Sequence, residues 1–69
     1  MDTRRIKSLM VLNGDTLMDL SKAVGCTSET LSKKINEYKG SEFTQSEIKV
    51  IKKRYNLKPE EVDAIFFAD

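Results

Sequence analysis

The sequence predicts a single all-α domain built from five short helices. Its apolar residues recur at three- and four-residue spacings, as on the buried side of a helix. Three Gly and one Pro are too few for a chain built mainly of turns and short strands. The 69 residues, 39% hydrophobic and 33% charged, suffice for one core, so residues 1–69 are interpreted as one domain.

The first two predicted helices are separated by Gly14, which is placed to end the first. That helix runs from about Thr3 to Asn13. Its buried side is expected to carry Ile6, Leu9, Met10 and, at its edge, Val11. Asp15 or Thr16 can cap the second helix, which Gly25 ends. The second helix has its apolar residues at i, i+3 and i+7, namely Leu17, Leu20 and Val24.

A third helix is predicted from Ser28 to about Asn36. Thr27 is a good N-cap for it, and Leu31 and Ile35 at i, i+4 form its buried side. Residues 37–42 are interpreted as a loop.

The last two helices have clear starts. Thr44 and Glu47 have capping-box spacing, which predicts a fourth helix reaching about Tyr55. Pro59 suits the first turn of a fifth helix, although Lys58 is a poor N-cap. The residues expected to be buried by these two helices are Ile48, Ile51, Tyr55, Val62, Ile65 and Phe66.

The middle of the chain has the layout of a DNA-binding helix-turn-helix. Residues 16–36 comprise a short helix, a three-residue turn and a second short helix. Gly25 suits a left-handed backbone in the turn, and Cys26 is interpreted as a small buried hydrophobe rather than a redox switch. Pairs of helices joined by such a turn also occur as purely structural packing units. The layout alone therefore does not decide between a DNA-binding unit and a packing unit.

Residues 16–36 resemble the helix-turn-helix of the lambda-repressor-like (XRE) transcriptional regulators. The matching positions are Thr16, Leu20, Gly25, Leu31, Ser32 and Ile35. Residues 42–48, 57–62 and 65–67 are similar to small phage and prophage regulators of low-GC Gram-positive bacteria. The resemblance implies a five-helix Cro-like DNA-binding domain. Such a domain occupies double-stranded operator DNA in the bacterial cytoplasm, with its third helix in the major groove.

Three positions depart from the family pattern. Leu17 stands where a phosphate-contacting Gln is common, and Ser21 replaces a small Ala. Glu29 places an acid near the front of the recognition helix, where it repels phosphate unless it accepts from a cytosine amine. These departures and the net charge of +1 motivate a second hypothesis. In it the protein is an interaction modulator, an anti-repressor or co-repressor, that binds a partner repressor and binds DNA poorly alone.

The candidate contact residues lie on and after the third helix. Motif and resemblance together suggest base contacts by Ser28, Glu29, Thr30, Ser32 and Lys33. The candidate phosphate contacts are Thr16, Asn36, Lys39 and Ser41. Thr16 sits at a helix N-terminus, where backbone N–H groups suit an anion. The alternative is a solvated polar face with ordinary capping.

A weak homodimer that forms mainly on DNA is also predicted. One domain of this size contacts a single half-site, usually too little for firm operator specificity. The apolar residues expected to remain after the core is filled are Ile65, Phe66 and Phe67. Phe67 is interpreted either as a plug onto the first helix or as part of the dimer contact.

The composition argues against several other classes of protein. Without His, and with only Cys26, the chain cannot build a Ser-His-Asp device or a zinc site of several His and Cys ligands. We therefore expect no enzyme activity, cofactor or metal. No run approaches the ~18 apolar residues of a membrane span, and the lone cysteine suggests a reducing cytosol.

Residues 43–57 carry four cations against one acid, and residues 58–69 one cation against four acids. A polyanion partner is compatible with that asymmetry.

Overall fold

The computed structural model of the protein describes residues 1–67, two residues fewer than the predicted domain. Five α-helices follow one another along these residues: α1 Thr3–Leu12, α2 Leu17–Val24, α3 Ser28–Ile35, α4 Gln45–Arg54 and α5 Pro59–Phe66. A 3-10 turn, Tyr38–Gly40, lies in the predicted loop between α3 and α4. No strand occurs within the described residues, which confirms the predicted all-α class.

Side-chain caps explain where most of the helices begin. The Thr16 side chain, not that of Asp15, caps α2, and Thr27 caps α3. The predicted capping box of Thr44 and Glu47 is present at the start of α4. The side chain of Lys58 makes no cap, as expected, and its backbone N–H donates to Glu61 at 3.2 Å instead.

Helix ends fall about one residue earlier than the sequence suggested. α1, α3 and α4 stop at Leu12, Ile35 and Arg54, and the next residue of each serves as the C-cap. The predicted ends were Asn13, Asn36 and Tyr55. Each of these residues still donates its backbone N–H to the carbonyl four positions earlier, so the difference is one of fraying at the last turn.

The core lies where the predicted apolar sides of the helices meet. α2 packs against α3 and α4, α4 packs against α5, and α5 packs against α1. The buried apolar residues are Ile6, Met10, Leu20, Leu31, Ile35, Ile48, Ile51, Tyr55, Leu57, Val62 and Ile65. Leu9, Leu17, Val24, Cys26, Phe43 and Phe66 are partly buried against them. This arrangement fixes α3 against the rest of the molecule through its apolar side.

Two interpretations of the apolar residues were wrong. Val11 is 79% exposed, because Ile6 and Met10 define the side of α1 that faces the core. Ile65 is 2% exposed and belongs to the core, so it is not left over for a dimer contact.

Phe66 is half-buried and packs edge-on against Phe43, with ring centroids 5.6 Å apart. Phe67 is 54% exposed and therefore does not plug the core.

None of the helices within residues 1–67 has the length and apolar character needed to cross a membrane. The same residues contain no group of three or more His, Cys, Asp or Glu side chains placed to hold a metal ion.

Candidate nucleic-acid interface

The helix-turn-helix unit consists of α2, the turn of residues 25–27 and α3. Gly25 adopts a left-handed backbone, with φ 89° and ψ 32°, a conformation that favours glycine. The backbone N–H groups of Gly25 and Cys26 both donate to the Ser21 carbonyl, at 2.8 and 3.0 Å. Leu20 of α2 and Leu31 of α3 are fully buried, and the two helices pack against each other. The turn and this apolar contact together hold α3 at a defined angle to α2.

The outer side of α3 carries the candidate base contacts. Glu29, Thr30 and Lys33 are exposed, whereas Ser28 and Ser32 are half-buried. The structure therefore brings all five candidates onto one helix, with three of them well presented to solvent. Leu31 and Ile35 occupy the opposite, buried side.

Several of these polar groups already have partners. Lys33 Nζ lies 3.5 Å from Glu29 Oε1, an ion pair at i, i+4 spacing. The hydroxyl of Thr27 donates to that of Thr30 at 2.9 Å. Because both pairs are exposed, they are worth little in water and readily exchange for contacts to a ligand.

Lys34, the other lysine of α3, does not join this outer side. Its Nζ lies 2.6 Å from Glu47 Oε1, with side chains only 18% and 12% exposed. Burial raises the pKa of the Glu47 carboxyl, but hydrogen bonds from Lys34 and Thr44 outweigh it and the net shift is downward. The pair ties α3 to the start of α4 and thus positions the recognition helix. Nothing in the local sequence pattern indicated this pairing, because the two residues lie on different helices.

The candidate phosphate contacts fall into two places. Thr16 lies at the start of α2, where the Asp19 carboxylate accepts from its backbone N–H at 3.0 Å and from its hydroxyl at 2.9 Å. These hydrogen bonds lower the pKa of Asp19. An incoming phosphate therefore meets a carboxylate at this helix end, which opposes the expected role of Thr16.

The other three candidate phosphate contacts lie in the loop after α3. Asn36 donates its side-chain amide to the Ser32 carbonyl at 2.9 Å. The ammonium of Lys39 sits over the Tyr38 ring, 5.4 Å from its centroid. Lys39 also has a left-handed backbone, with φ 51°, and Ser41 is half-buried. The loop thus holds its exposed cation, Lys39, close to the C-terminal end of α3.

A network missed by the sequence interpretation fixes the start of α2. Arg54 donates to both carboxylate oxygens of Asp15, at 2.8 and 2.6 Å, and the Tyr55 hydroxyl donates at 2.7 Å. The hydrogen bond from Arg54, followed by that from Tyr55, lowers the pKa of Asp15 to about 2. Burial and the Asp15 hydrogen bond raise the pKa of Tyr55. Asp15 therefore acts as a tie to α4 rather than as a helix cap.

The chain matches no family model, no curated protein and no solved structure.

Proposed function

We propose that the protein is a sequence-specific DNA-binding regulator of transcription that acts by occupying an operator. The observation that carries this proposal is the α2–turn–α3 unit. Its second helix is fixed from behind by Leu31 and Ile35 and presents Glu29, Thr30 and Lys33 outward. A helix of this kind fits the major groove, where donors and acceptors on base edges distinguish all four base pairs.

The resemblance of residues 16–36 to the lambda-repressor-like regulators extends the proposal. It supports a Cro-like regulator of a phage or prophage, working in the cytoplasm of a bacterial host. Lys39, near the C-terminal end of α3, then contacts phosphate, and Lys33 reads base edges after its exposed pair with Glu29 opens.

Binding to DNA selected from a random pool tests the proposal. We expect a preferred sequence and an affinity that falls steeply with salt, because each neutralised phosphate releases counterions. Absence of any preferred sequence, or a salt-insensitive affinity, would contradict it.

Variants of single residues separate base contacts from phosphate contacts. Lys33→Ala and Ser28→Ala should change base preference by ~1–3 kcal/mol. Lys39→Ala should instead weaken binding to all sequences alike and reduce the salt slope by about one. Lys53→Ala is the matched control, because Lys53 is exposed on α4 and forms no ion pair within residues 1–67. Unchanged selectivity in the Ser28 and Lys33 variants would overturn the assignment of α3 as the recognition helix.

A second candidate function is binding to a partner repressor. The observation that favours it is the presence of two exposed acids on the helix-turn-helix, at places where a phosphate backbone would be expected. Asp19 occupies the α2 N-terminus, and Glu29 stands exposed beside Lys33. Lys34 is tied to Glu47.

Glu29→Gln separates the two functions. If α3 faces DNA, removing this acid should strengthen DNA binding where Glu29 repels phosphate, or change the preferred base where it accepts from a cytosine amine. If α3 instead meets a basic partner protein, the substitution should weaken a complex with a repressor encoded by a neighbouring gene and leave weak DNA binding unchanged.

A further inference from the structure

The outward side of α1 carries a stripe of basic and apolar residues. With helical spacing, Arg4, Lys7, Ser8, Val11 and Leu12 fall on one continuous side, opposite the buried Ile6 and Met10. Val11 and Leu12 are 79% and 81% exposed, the largest values among the exposed large hydrophobic residues. Arg4 and Lys7 are exposed, and neither forms an ion pair within the described residues. We call these five residues the α1 stripe.

The outward side of α5 carries a stripe of opposite charge. Glu60 and Asp63 on α5, and Phe67, the residue that caps its C-terminus, follow at i, i+3 and i+7 and are all exposed. Neither acid forms an ion pair in the part of the chain that the structure describes. Phe67 is 54% exposed although it is aromatic. We call these three residues the α5 stripe.

The two stripes match in order and in length. In each stripe the charged residues come first along the chain and the apolar residues come last. At 1.5 Å per residue, Arg4 to Leu12 spans about 12 Å and Glu60 to Phe67 about 10 Å. Side-by-side packing in the same direction places cations beside acids and Val11 and Leu12 beside Phe67. A shallow groove on α1, lined by Lys7, Ser8, Val11 and Leu12, provides room for the ring.

We propose that the α1 stripe of one molecule docks on the α5 stripe of a second copy. α1 and α5 are neighbours in the fold, joined by a hydrogen bond from the Asp2 N–H to the Ile65 carbonyl at 2.6 Å. No ion pair joins the two stripes within one chain, so their charges remain available to a second copy. In a two-fold symmetric pair each molecule would use both stripes, so the contact would form twice.

This contact does not depend on DNA binding. Burying Val11, Leu12 and Phe67 removes exposed apolar surface from water, and the charges select the matching stripe. It also differs from a dimer made by the C-terminal segment alone, because half of the interface belongs to α1. A symmetric pair would carry two copies of α3, which operators with two half-sites require.

Reciprocal charge reversal tests the contact, with self-association measured by sedimentation over a wide range of concentrations. We expect the natural protein to dimerise reversibly. Arg4→Glu with Lys7→Glu, and separately Glu60→Lys with Asp63→Lys, should each raise the dissociation constant on the order of tenfold or more, because like charges then face each other. An equimolar mixture of the two variants should dimerise again, because each brings the complement that the other lacks.

Lys49→Glu with Lys53→Glu is the matched control. On α4, outside both stripes, it makes the same change in net charge as the α1 variant, and it should leave dimerisation unchanged. Circular dichroism verifies that each variant keeps its helices. A natural protein that stays monomeric even at millimolar concentration overturns the proposal, as does a mixture that fails to dimerise. It is also overturned if the α1 variant loses DNA affinity but self-associates normally, since the stripe then serves DNA instead.

Discussion

Replacing Asp15 with asparagine tests how the entry to α2 is held against α4. Asp15 accepts two hydrogen bonds from Arg54 and one from Tyr55, across 39 and 40 residues of chain. The Asp15 side chain is 9% exposed and that of Arg54 is 36% exposed. Asparagine keeps the shape of the side chain but loses the charge, and its amide group presents donors towards the donors of Arg54.

The expected loss of stability follows from the pKa of Asp15. Its fall from 3.8 to about 2 corresponds to about 2 kcal/mol at neutral pH as an upper value. Because solvent reaches Arg54, we expect about 1–2 kcal/mol for Asp15→Asn. The pKa is lower in the folded protein, so the contribution is complete well above pH 3.8 and is lost as the pH falls towards 2. About half of it should be gone at pH ~3.

Urea unfolding of both proteins at a series of pH values measures this contribution. Other carboxylates titrate equally in the two chains, so the difference in unfolding free energy isolates Asp15. Asp2→Asn is the control, because the Asp2–Arg5 ion pair at 3.5 Å is solvent-accessible and should contribute little, and asparagine can still cap α1 as Asp2 does. A loss below about 0.5 kcal/mol at neutral pH would refute the expected strength of the network. A difference that stays constant from about pH 5 to about pH 3 would refute its electrostatic origin.

Three other substitutions test the fold by the same measurement. Gly25→Ala should cost about 1–2 kcal/mol, because φ is 89° there and a left-handed backbone disfavours a Cβ atom; an unchanged stability would argue against this turn. Leu31→Ala should cost about 2–5 kcal/mol of stability, because the Leu31 side chain is fully buried. Val11→Ala is its control and should change stability by less than about 0.5 kcal/mol, because Val11 is 79% exposed. Similar losses for both would contradict the observed orientation of α1 and α3. Thr44→Ala should cost about 1 kcal/mol by removing the acceptor for the Glu47 N–H, and a smaller effect than that of Ser46→Ala would exclude the cap.

Features that involve neighbouring residues were predicted from the sequence. Caps by Thr27 and Thr44 depend on hydrogen bonds to a residue three positions away, and the left-handed Gly25 depends on the turn itself. The spacing of Leu31 and Ile35 defines the buried side of α3 regardless of what packs there. It follows that the polar outer side of α3 was predicted too, although its contact with DNA stays a prediction.

Other features were decided only when the helices packed together. Lys34 meets Glu47 across 13 residues, and Arg54 meets Asp15 across 39. No helical spacing indicates such pairs, because they depend on how α3 and α4 cross and on where the turn before α2 returns. The local pattern placed Ile65 on a buried side, but it could not tell that the core would cover Ile65 fully and leave none of it for a dimer contact. For the same reason it could not tell that Val11 would face solvent. A local pattern sets which residues share one side of a helix, but the tertiary packing sets where that side ends.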